Sequence, residues 1–277
     1  MNRVTLIPVG GLANRMKAID AAIALTKDIH AQLRIIWYKD WGLNCRYNQL
    51  FQSFNLPDVE VKEASINDLI FYDRPRRKNF YVPQIFQRFI FDDCLYENEV
   101  TQLLYSKFNF NEWAKKRNVY IASCVYFYPL MDRKLFSNFC PIPNLQKKID
   151  DACSSFTDST IGIHIRRTDN ATSIAESPTE LFIHKIEQEI KKNKDASFYL
   201  ATDSEEDKNK ILNLFNHHVI TSPRKANRNS IEGMQDALVE LYTLSHTQKI
   251  IGSIQSSYSE TAAQISNIQC ELLKKKS

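Results

Sequence analysis

The sequence predicts an α/β fold built on parallel sheets, because strand-like and helix-like segments alternate along it. Residues 3–9 are typical of a β-strand, Gly10-Gly11 turns the chain, and apolar residues then recur at helical spacing. Residues 33–38 form the next strand, and such strand–helix–strand units build parallel sheets. The second half repeats the alternation, with strands expected at 160–165, 197–201 and 249–252.

Size and composition are those of a globular protein of one large or two modest domains. The chain has 277 residues, of which 43% are hydrophobic and 25% charged. Pro141-Ile142-Pro143 indicates a linker, so we expect an N-terminal domain at 1–145 and a C-terminal domain at 146–277. The six cysteines are dispersed without a Cys-x-x-Cys pair, which indicates neither a zinc ribbon nor a disulfide framework.

The N-terminus and the charge distribution bear on location and partners. The first residues lack the apolar core and cleavage site of a signal peptide, and no apolar run is long enough to span a bilayer, so we expect a cytoplasmic protein. Net charge is +4, with basic clusters at 74–78 and 274–276. These clusters are candidates for peripheral contact with the inner face of a membrane or for contact with an acidic glycolipid acceptor; the alternative is a solvated loop and tail. No nucleic-acid-binding module is recognisable.

Three helix starts in the second half carry recognisable capping residues. Ser177 before Pro178 is an expected N-cap, and Ser204 opens a second helix. Ser257 and Glu260 form a Ser-x-x-Glu capping box, which predicts a helix beginning near Tyr258.

The chemistry is expected where strands end, because ligands of open α/β sheets lie beyond the carboxyl ends of the strands. His164-Ile165-Arg166-Arg167-Thr168-Asp169 follows one apolar strand, and Thr202-Asp203 ends the next. Side chains alternate along a strand, so His164 and Arg166 share a face, where Arg166 offers a planar fork that fits two phosphate oxygens. The alternative is a strand end with solvated charges.

The segment 252–260 is a hydroxyl-rich loop that leads into the helix near Tyr258. Free backbone N–H groups and the helix dipole favour an anion at such a start, and Ser256 and Ser257 can add hydroxyl donors. The alternative is that these serines only cap the helix.

These segments, together with Gly10-Gly11-Leu12-Ala13-Asn14-Arg15, resemble the fucosyltransferase superfamily that includes NodZ-type and α-(1,6)-fucosyltransferases and protein O-fucosyltransferases. The resemblance covers the first glycine turn and about residues 160–265, whereas 40–150 carry no recognised motif. It implies a GT-B architecture, with two Rossmann-like domains whose parallel sheets face a central cleft. It also implies that GDP-fucose is bound mainly by the C-terminal domain.

The resemblance further implies roles for single residues. His164 would contact guanine, Arg166 the β-phosphate, and Ser256 and Ser257 the phosphates. Glu240 stands where the family usually has a guanine-binding aspartate, although the helical pattern also allows it to face solvent. The strand-end position of Asp203, with no second aspartate to complete an Asp-x-Asp motif, indicates a hydrogen-bonding role at the donor site. From the N-terminal domain Gly11, Asn14 and Arg15 would approach the sugar or phosphates, unless Asn14 and Arg15 are ordinary polar residues of a first helical turn.

Sugar transfer from a nucleoside diphosphate requires stabilisation of the departing diphosphate and, for inversion, a base near the acceptor hydroxyl. The departing diphosphate can be stabilised by Arg166, the helix start at 257–258 and Arg15. No Asp-x-Asp motif is present to hold a divalent ion, so neither a metal nor a cofactor is expected beyond the donor substrate. Asp169 is the first candidate base and Glu176 the second; alternatively, Asp169 pairs with Arg167.

The sequence therefore predicts an inverting, metal-independent fucosyltransferase that transfers fucose from GDP-fucose to a glycan or glycolipid acceptor in surface polysaccharide assembly. Two alternatives remain: a glycosyltransferase that uses another GDP- or nucleotide-sugar, and a non-catalytic nucleotide- or glycan-binding relative. A nucleotide-binding oxidoreductase is disfavoured, because Gly10-Gly11-Leu12-Ala13 lacks the Gly-x-Gly-x-x-Gly spacing that a dinucleotide requires.

Overall fold

The computed structural model describes residues 2–40, 42–72, 82–116, 118–129, 134–168 and 170–275. The chain forms two compact units, Met1–Ile142 with Arg228–Ile231, and Pro143–Asn227 with Glu232–Ser277. Across the described residues each unit contains a five-stranded sheet in which all neighbouring strands run parallel. The predicted α/β class with two Rossmann-like sheets is confirmed.

The sheet of the first unit has the order β3-β2-β1-β5-β4. Its central strand β1 is almost wholly buried, as expected for a parallel strand covered on both faces. The strands are β1 (Arg3–Pro8), β2 (Gln32–Trp37), β3 (Val59–Glu63), β4 (Asp93–Leu95) and β5 (Asn118–Ser123). The helices are α1 (Leu12–Asp28), α2 (Asp68–Phe71), α3 (Val82–Ile90), α4 (Glu97–Tyr105) and α5 (Phe110–Ala114).

The sheet of the second unit has the order β10-β9-β6-β7-β8. The strands are β6 (Thr160–Ile165), β7 (Ser197–Thr202), β8 (Val219–Thr221), β9 (Lys249–Ser253) and β10 (Gln269–Leu273). The helices are α6 (Pro143–Cys153), α7 (Ala171–Glu176), α8 (Thr179–Lys192), α9 (Glu205–Phe215), α10 (Ile231–Ser245) and α11 (Ser257–Ser266).

Strand β6 lies at the centre of this second sheet and determines where a ligand can bind. The chain passes from β6 outward to β7 and β8, then returns to place β9 on the other side of β6. Such a reversal of strand order opens a crevice at the carboxyl ends of the two strands that flank it. One face of β6 is core, because Ile161, Ile163 and Ile165 join a buried cluster with Phe182 and Phe198. The opposite face carries His164, as the alternation predicted.

Of the three predicted helix caps, the one by Ser204 is confirmed, and the caps by Ser177 and by the Ser257/Glu260 box are wrong. Ser204 caps α9, since its Oγ accepts the N–H of Asp207 at 3.2 Å. Ser177 does not cap α8, which begins at Thr179; its Oγ accepts the N–H of Ile254 and donates to a carbonyl of β10. The helix α11 begins at Ser257 after Ser256, one residue earlier than predicted, and no side chain caps it.

The edge strands β8 and β10 were not predicted, because both are short or only half-buried and lack a clear apolar run. Of the helices that the structure describes, none combines the length and apolar character that crossing a bilayer requires.

Candidate functional site

The candidate site lies in the second unit, where β6, β7 and β9 end and α11 begins. Of the predicted residues, His164, Arg166, Asp203, Ser256 and Ser257 all come from these neighbouring strand ends or the start of α11. The fold brings them together because parallel strands present their carboxyl ends at one edge of the sheet.

His164 is buried on the face of β6 that meets α11. Its Nδ1 lies 2.7 Å from the Oγ of Ser259 and 3.4 Å from the Oγ of Ser256, and its ring stacks on Tyr258 at 4.8 Å between centroids. The close approach depends on Gly252, the neighbour of His164 on β9, because a Cβ there would lie 2.5 Å from the Oγ of Ser259. Ser259 and Gly252 thus fix the position of the imidazole.

Burial also keeps His164 neutral. Loss of solvation, as the largest cause, and the Arg166 guanidinium together lower the pKa of its imidazole to about 4, and the Asp203 carboxylate opposes them. A neutral imidazole has one donor and one acceptor nitrogen. Because Nδ1 is engaged by Ser259, Nε2 is the atom left for a ligand.

Arg166 follows directly and forms an ion pair with Asp203, with 3.0 Å between Nη1 and Oδ2. Its backbone N–H donates to the Oγ of Ser253 at the end of β9. The Asp203 carboxylate also accepts the backbone N–H of Arg167 at 2.7 Å and the hydroxyl of Thr168 at 2.7 Å. Asp203 therefore organises the loop after β6, and its role toward a ligand stays a prediction.

Arg167 anchors the loop after β6 to the starts of α8 and α9. Its Nε donates to Asp207 at 2.8 Å, and its Nη2 donates to the carbonyl of Ser177 and the hydroxyl of Thr179 at 2.9 Å each. The predicted alternative partner of Arg167, Asp169, lies outside the described residues.

The loop before α11 is held from α7 by a residue whose role the sequence did not reveal. Asn170 caps α7 by accepting the N–H of Ser173 at 3.0 Å, and its Nδ2 donates to the carbonyl of Gln255 at 2.9 Å. The hydroxyl of Ser173 donates to the carbonyl of Ile254. These bonds support Gln255 at a left-handed φ of 52°. The start of α11, with its free N–H groups, is thereby positioned for an anion.

Glu240 lines a pocket of about 320 Å³ next to this cluster. The pocket walls combine apolar, hydroxyl and charged side chains, among them Lys148, Tyr199, Thr221, Arg224 and Asp236. Burial raises the pKa of Glu240 to about 8 against the opposing charge of Lys208, and the carboxylates of Asp236, Asp203 and Glu205 add to the rise. The side chain is half-buried and predominantly protonated at neutral pH, so it can both donate and accept hydrogen bonds.

The predicted residues of the first unit lie around the turn between β1 and α1. Gly11 is the N-cap residue of α1 and Asn14 is half-buried in the first turn. Arg15 is fully buried: its guanidinium donates to the carbonyls of Gly10 and Tyr38 and to Asp40 at 2.8 Å, and stacks on Trp37. Burial lowers the pKa of Arg15 against the charge of Asp40. In this structure Arg15 stabilises the turn, and its contact with a ligand stays a prediction.

Glu176, the second candidate base, ends α7. Its carboxylate is half-exposed and lies 3.9 Å from the Nζ of Lys274, and its backbone carbonyl accepts the N–H of Lys275. Its catalytic role therefore also stays a prediction. Over the described residues no group of three or more His, Cys, Asp or Glu side chains could hold a metal ion.

Comparison with solved structures shows which fold this is. Fucosyltransferase NodZ from Bradyrhizobium aligns with a TM-score of 0.65 and 18% identity over 95% of this chain and 93% of that chain. A mutant of FUT1 from Arabidopsis thaliana in complex with GDP aligns with a TM-score of 0.62 and 15% identity over 97% of this chain and 69% of that chain. POFUT1 in complex with GDP-fucose aligns with a TM-score of 0.57 and 9% identity over 98% of both chains. No family model and no curated protein matches the sequence.

The chain therefore has the fold of these fucosyltransferases along nearly its whole length. The resemblance that the strand-end motifs predicted, with its GT-B fold class, is confirmed at the level of fold.

Proposed function

We propose that the protein is an inverting, metal-independent glycosyltransferase that transfers fucose from GDP-fucose to a glycan acceptor. The observation that carries the proposal is the cluster of Arg166, Asp203 and the α11 start at the β6 crevice, in a chain with the fold of NodZ and POFUT1. Solved structures of NodZ and POFUT1 include complexes with GDP-fucose and GDP. The donor is carried over to this chain as part of the proposal.

The second unit supplies the groups that a nucleoside diphosphate requires. Arg166 offers Nη and Nε donors to phosphate oxygens, and the N–H groups at the start of α11, with Ser256 and Ser257, add further donors. These donors stabilise the charge that develops on the departing diphosphate, as required for transfer without a metal. His164, through Nε2, and Glu240 are proposed to contact the base.

The acceptor side is proposed from the remaining predicted residues. Asp169, which lies outside the described residues, is the first proposed base and Glu176 the second. Gly11 and Asn14 are proposed to approach the sugar or phosphates, together with Arg15, which also fixes the turn that carries them. A glycan or glycolipid acceptor in surface polysaccharide assembly, and a cytoplasmic location, complete the proposal.

The raised pKa of Glu240 keeps one alternative donor open. Guanine presents N–H donors on its N1 and N2 edge, which a carboxylate accepts, whereas a neutral carboxyl group has one acceptor and one donor oxygen. A base that presents both donors and acceptors would bind a neutral Glu240 carboxyl group as well as guanine would. Another nucleotide-sugar is therefore the second candidate for the donor.

A titration with nucleotides tests the donor. Calorimetry and thermal shift with GDP, UDP, ADP and GDP-fucose, with and without EDTA, should show stabilisation by GDP and GDP-fucose that chelation leaves unchanged. Equal stabilisation by the other nucleotides would exclude the guanine assignment. Hydrolysis of GDP-fucose without acceptor separates an enzyme from a binding protein, since only an enzyme turns the donor over.

A further inference from the structure

Tyr258, the second residue of α11, contacts two other elements of the second unit with its side chain. Its backbone belongs to the first turn of the helix, whose N–H groups have no acceptor within the helix and are proposed to bind the diphosphate. Its side chain is half-buried and reaches both the ring of His164 on β6 and the backbone of α10. One residue therefore joins the start of α11 to two neighbouring elements.

The ring of Tyr258 supports the imidazole of His164 from one side. The two rings stack with 4.8 Å between their centroids and 27° between their planes. The Oγ of Ser259 holds Nδ1 of the same imidazole at 2.7 Å. Stacking and the hydrogen bond together restrict rotation of the His164 side chain, so its Nε2 points in one direction before any ligand binds.

The hydroxyl of Tyr258 donates to the backbone carbonyl of Ala237 on α10. Ala237 precedes Glu240 by three residues, which is close to one helical turn, so the bond connects α11 to the turn of α10 that carries Glu240. Burial, with the Glu240 carboxyl group as the next contributor, raises the pKa of Tyr258 well above its ordinary value. The phenol therefore keeps its proton and remains a donor.

These contacts determine how the two residues proposed to bind the base are arranged. His164 and Glu240 come from a strand and a helix that are far apart in the sequence, and Tyr258 contacts the first and is bonded to the helical turn of the second. Two groups can bind one planar base together only if their separation is held close to the dimensions of that base. A preorganised pair also avoids the entropy cost of ordering both groups on binding.

We propose that Tyr258 is a positioning residue for the base of the donor nucleotide: its ring and hydroxyl hold His164 and the Glu240 turn of α10 at a fixed separation, beside the diphosphate-binding start of α11. This role rests on the proposed function, since it takes His164 and Glu240 to contact the base. Its effect is expected on recognition of the base and not on binding of the phosphates.

The variant Tyr258→Phe tests this role, because it removes the hydroxyl and keeps the ring. Ala237 lies within α10, so its carbonyl retains an acceptor role in the helix and the variant should fold. Calorimetry should show an affinity for GDP that is about threefold to tenfold lower, the range of one net hydrogen bond, and a preference for GDP over UDP that falls by the same factor. Affinity for inorganic pyrophosphate, which has no base, should stay within about twofold.

Two further variants complete the comparison. Tyr258→Leu also removes the ring that stacks on His164, so its affinity for GDP and its preference for GDP over UDP should fall below those of Tyr258→Phe. The matched control is Tyr128→Phe, which removes a hydroxyl that donates to Asp28 at 2.9 Å, at the end of α1 remote from Gly11. The control should bind GDP, UDP and pyrophosphate like the unaltered protein.

The outcomes separate this role from the proposed donor. An unchanged preference for GDP in Tyr258→Phe, in a protein that itself prefers GDP, would overturn the positioning role and leave the donor assignment in place. Equal losses of affinity for GDP and for pyrophosphate would also overturn it, because they would indicate a general disturbance of α11. No preference for GDP in the unaltered protein would overturn the proposed donor and the positioning role with it.

Discussion

At the scale of single residues, Asp203 decides how Arg166 can act. The carboxylate binds the guanidinium and also the backbone of the next two residues, so the arginine is held at the end of β6 before any ligand arrives. Preorganised donors contribute to catalysis because they need not be reoriented as charge develops.

Replacing Arg166 by Ala should lower donor turnover at least about a hundredfold, the effect typical of losing one preorganised donor to a developing anion. Folding should persist, because Asp203 keeps its bonds to Arg167 and Thr168. Steady-state kinetics with GDP-fucose measure the donor turnover, and a melting curve measures the folding. Arg34→Ala, which removes a surface ion pair with Glu60, is the control and should turn over normally. Unchanged turnover in the Arg166 variant would remove this residue from the mechanism.

His164 and Glu240, whose pKa values are shifted in opposite directions, should oppose each other in the pH dependence of stability. His164, with its pKa lowered to about 4, stays neutral while the unfolded chain takes up a proton, so stability falls as pH drops from 6.5 toward 4. This loss is on the order of 3 kcal/mol at most. Glu240, with its pKa raised to about 8, keeps its proton while the unfolded chain releases one, so stability falls as pH rises from 4.5 toward 8.

Single substitutions separate the contributions of His164 and Glu240 to the pH dependence of stability. Denaturant unfolding of Glu240→Gln should show stability that rises with pH up to about 6.5 more steeply than in the unaltered protein. His164→Gln should show a steeper decline of stability with pH between about 4.5 and 6.5, because the opposing contribution of the imidazole is lost there. If both variants keep the profile of the unaltered protein, neither group has the shifted pKa that the structure indicates.

At the scale of elements, the site depends on how closely α11 approaches β9. Gly252 allows that approach, since it has no Cβ to meet Ser259, and Ser259 in turn holds His164. One packed cluster thus joins β6 to Gly252 of β9 and Ser259 of α11.

Gly252→Ala should destabilise the protein by about 1–3 kcal/mol, because the added methyl group would overlap the Cβ and Oγ of Ser259 and force α11 outward. It should also weaken GDP binding, since the start of α11 moves with the helix. Denaturant unfolding and calorimetry measure the two effects. Gly11→Ala is the stability control: φ is −75°, the added Cβ would only reach the Gly42 carbonyl at 3.9 Å, and unfolding should be nearly unchanged. A Gly252 variant with unaltered stability and affinity would contradict the close-packed arrangement.

At the scale of the molecule, the residues proposed to bind the base and the phosphates belong mainly to the second unit, whereas Gly11, Asn14 and Arg15, proposed to approach the sugar or phosphates, belong to the first. Donor binding is therefore expected to protect mainly the second unit.

Hydrogen exchange with saturating GDP should reveal this division. Amides at 164–168 and 253–258 should gain protection, because the loop after β6 and the α11 start contact the ligand and open less often when it is bound. Amides of α2 and α3 should exchange as before. The prediction is wrong if GDP leaves 164–168 and 253–258 unprotected. Protection at 11–15 as well would support the predicted contact from the first turn.

Local patterns in the sequence were sufficient to predict much of this protein. Apolar runs and helical periodicity indicated β1, α1, β6, β7 and β9, because burial of both sheet faces leaves a strong local signal. The strand-end residues His164, Arg166 and Asp203 could be grouped in advance, since parallel strands end at a common edge.

Other features depend on partners distant in sequence, which packing alone selects. Arg15 is held by Tyr38 and Asp40, Asn170 supports Gln255, and Ser177 bonds β10 instead of capping α8. Gln87 of α3 is buried where it bonds Phe71 and Tyr96, which no periodicity reveals. A polar side chain has several possible partners of similar energy in the unfolded chain, and only the assembled fold determines which of them lies within hydrogen-bonding distance.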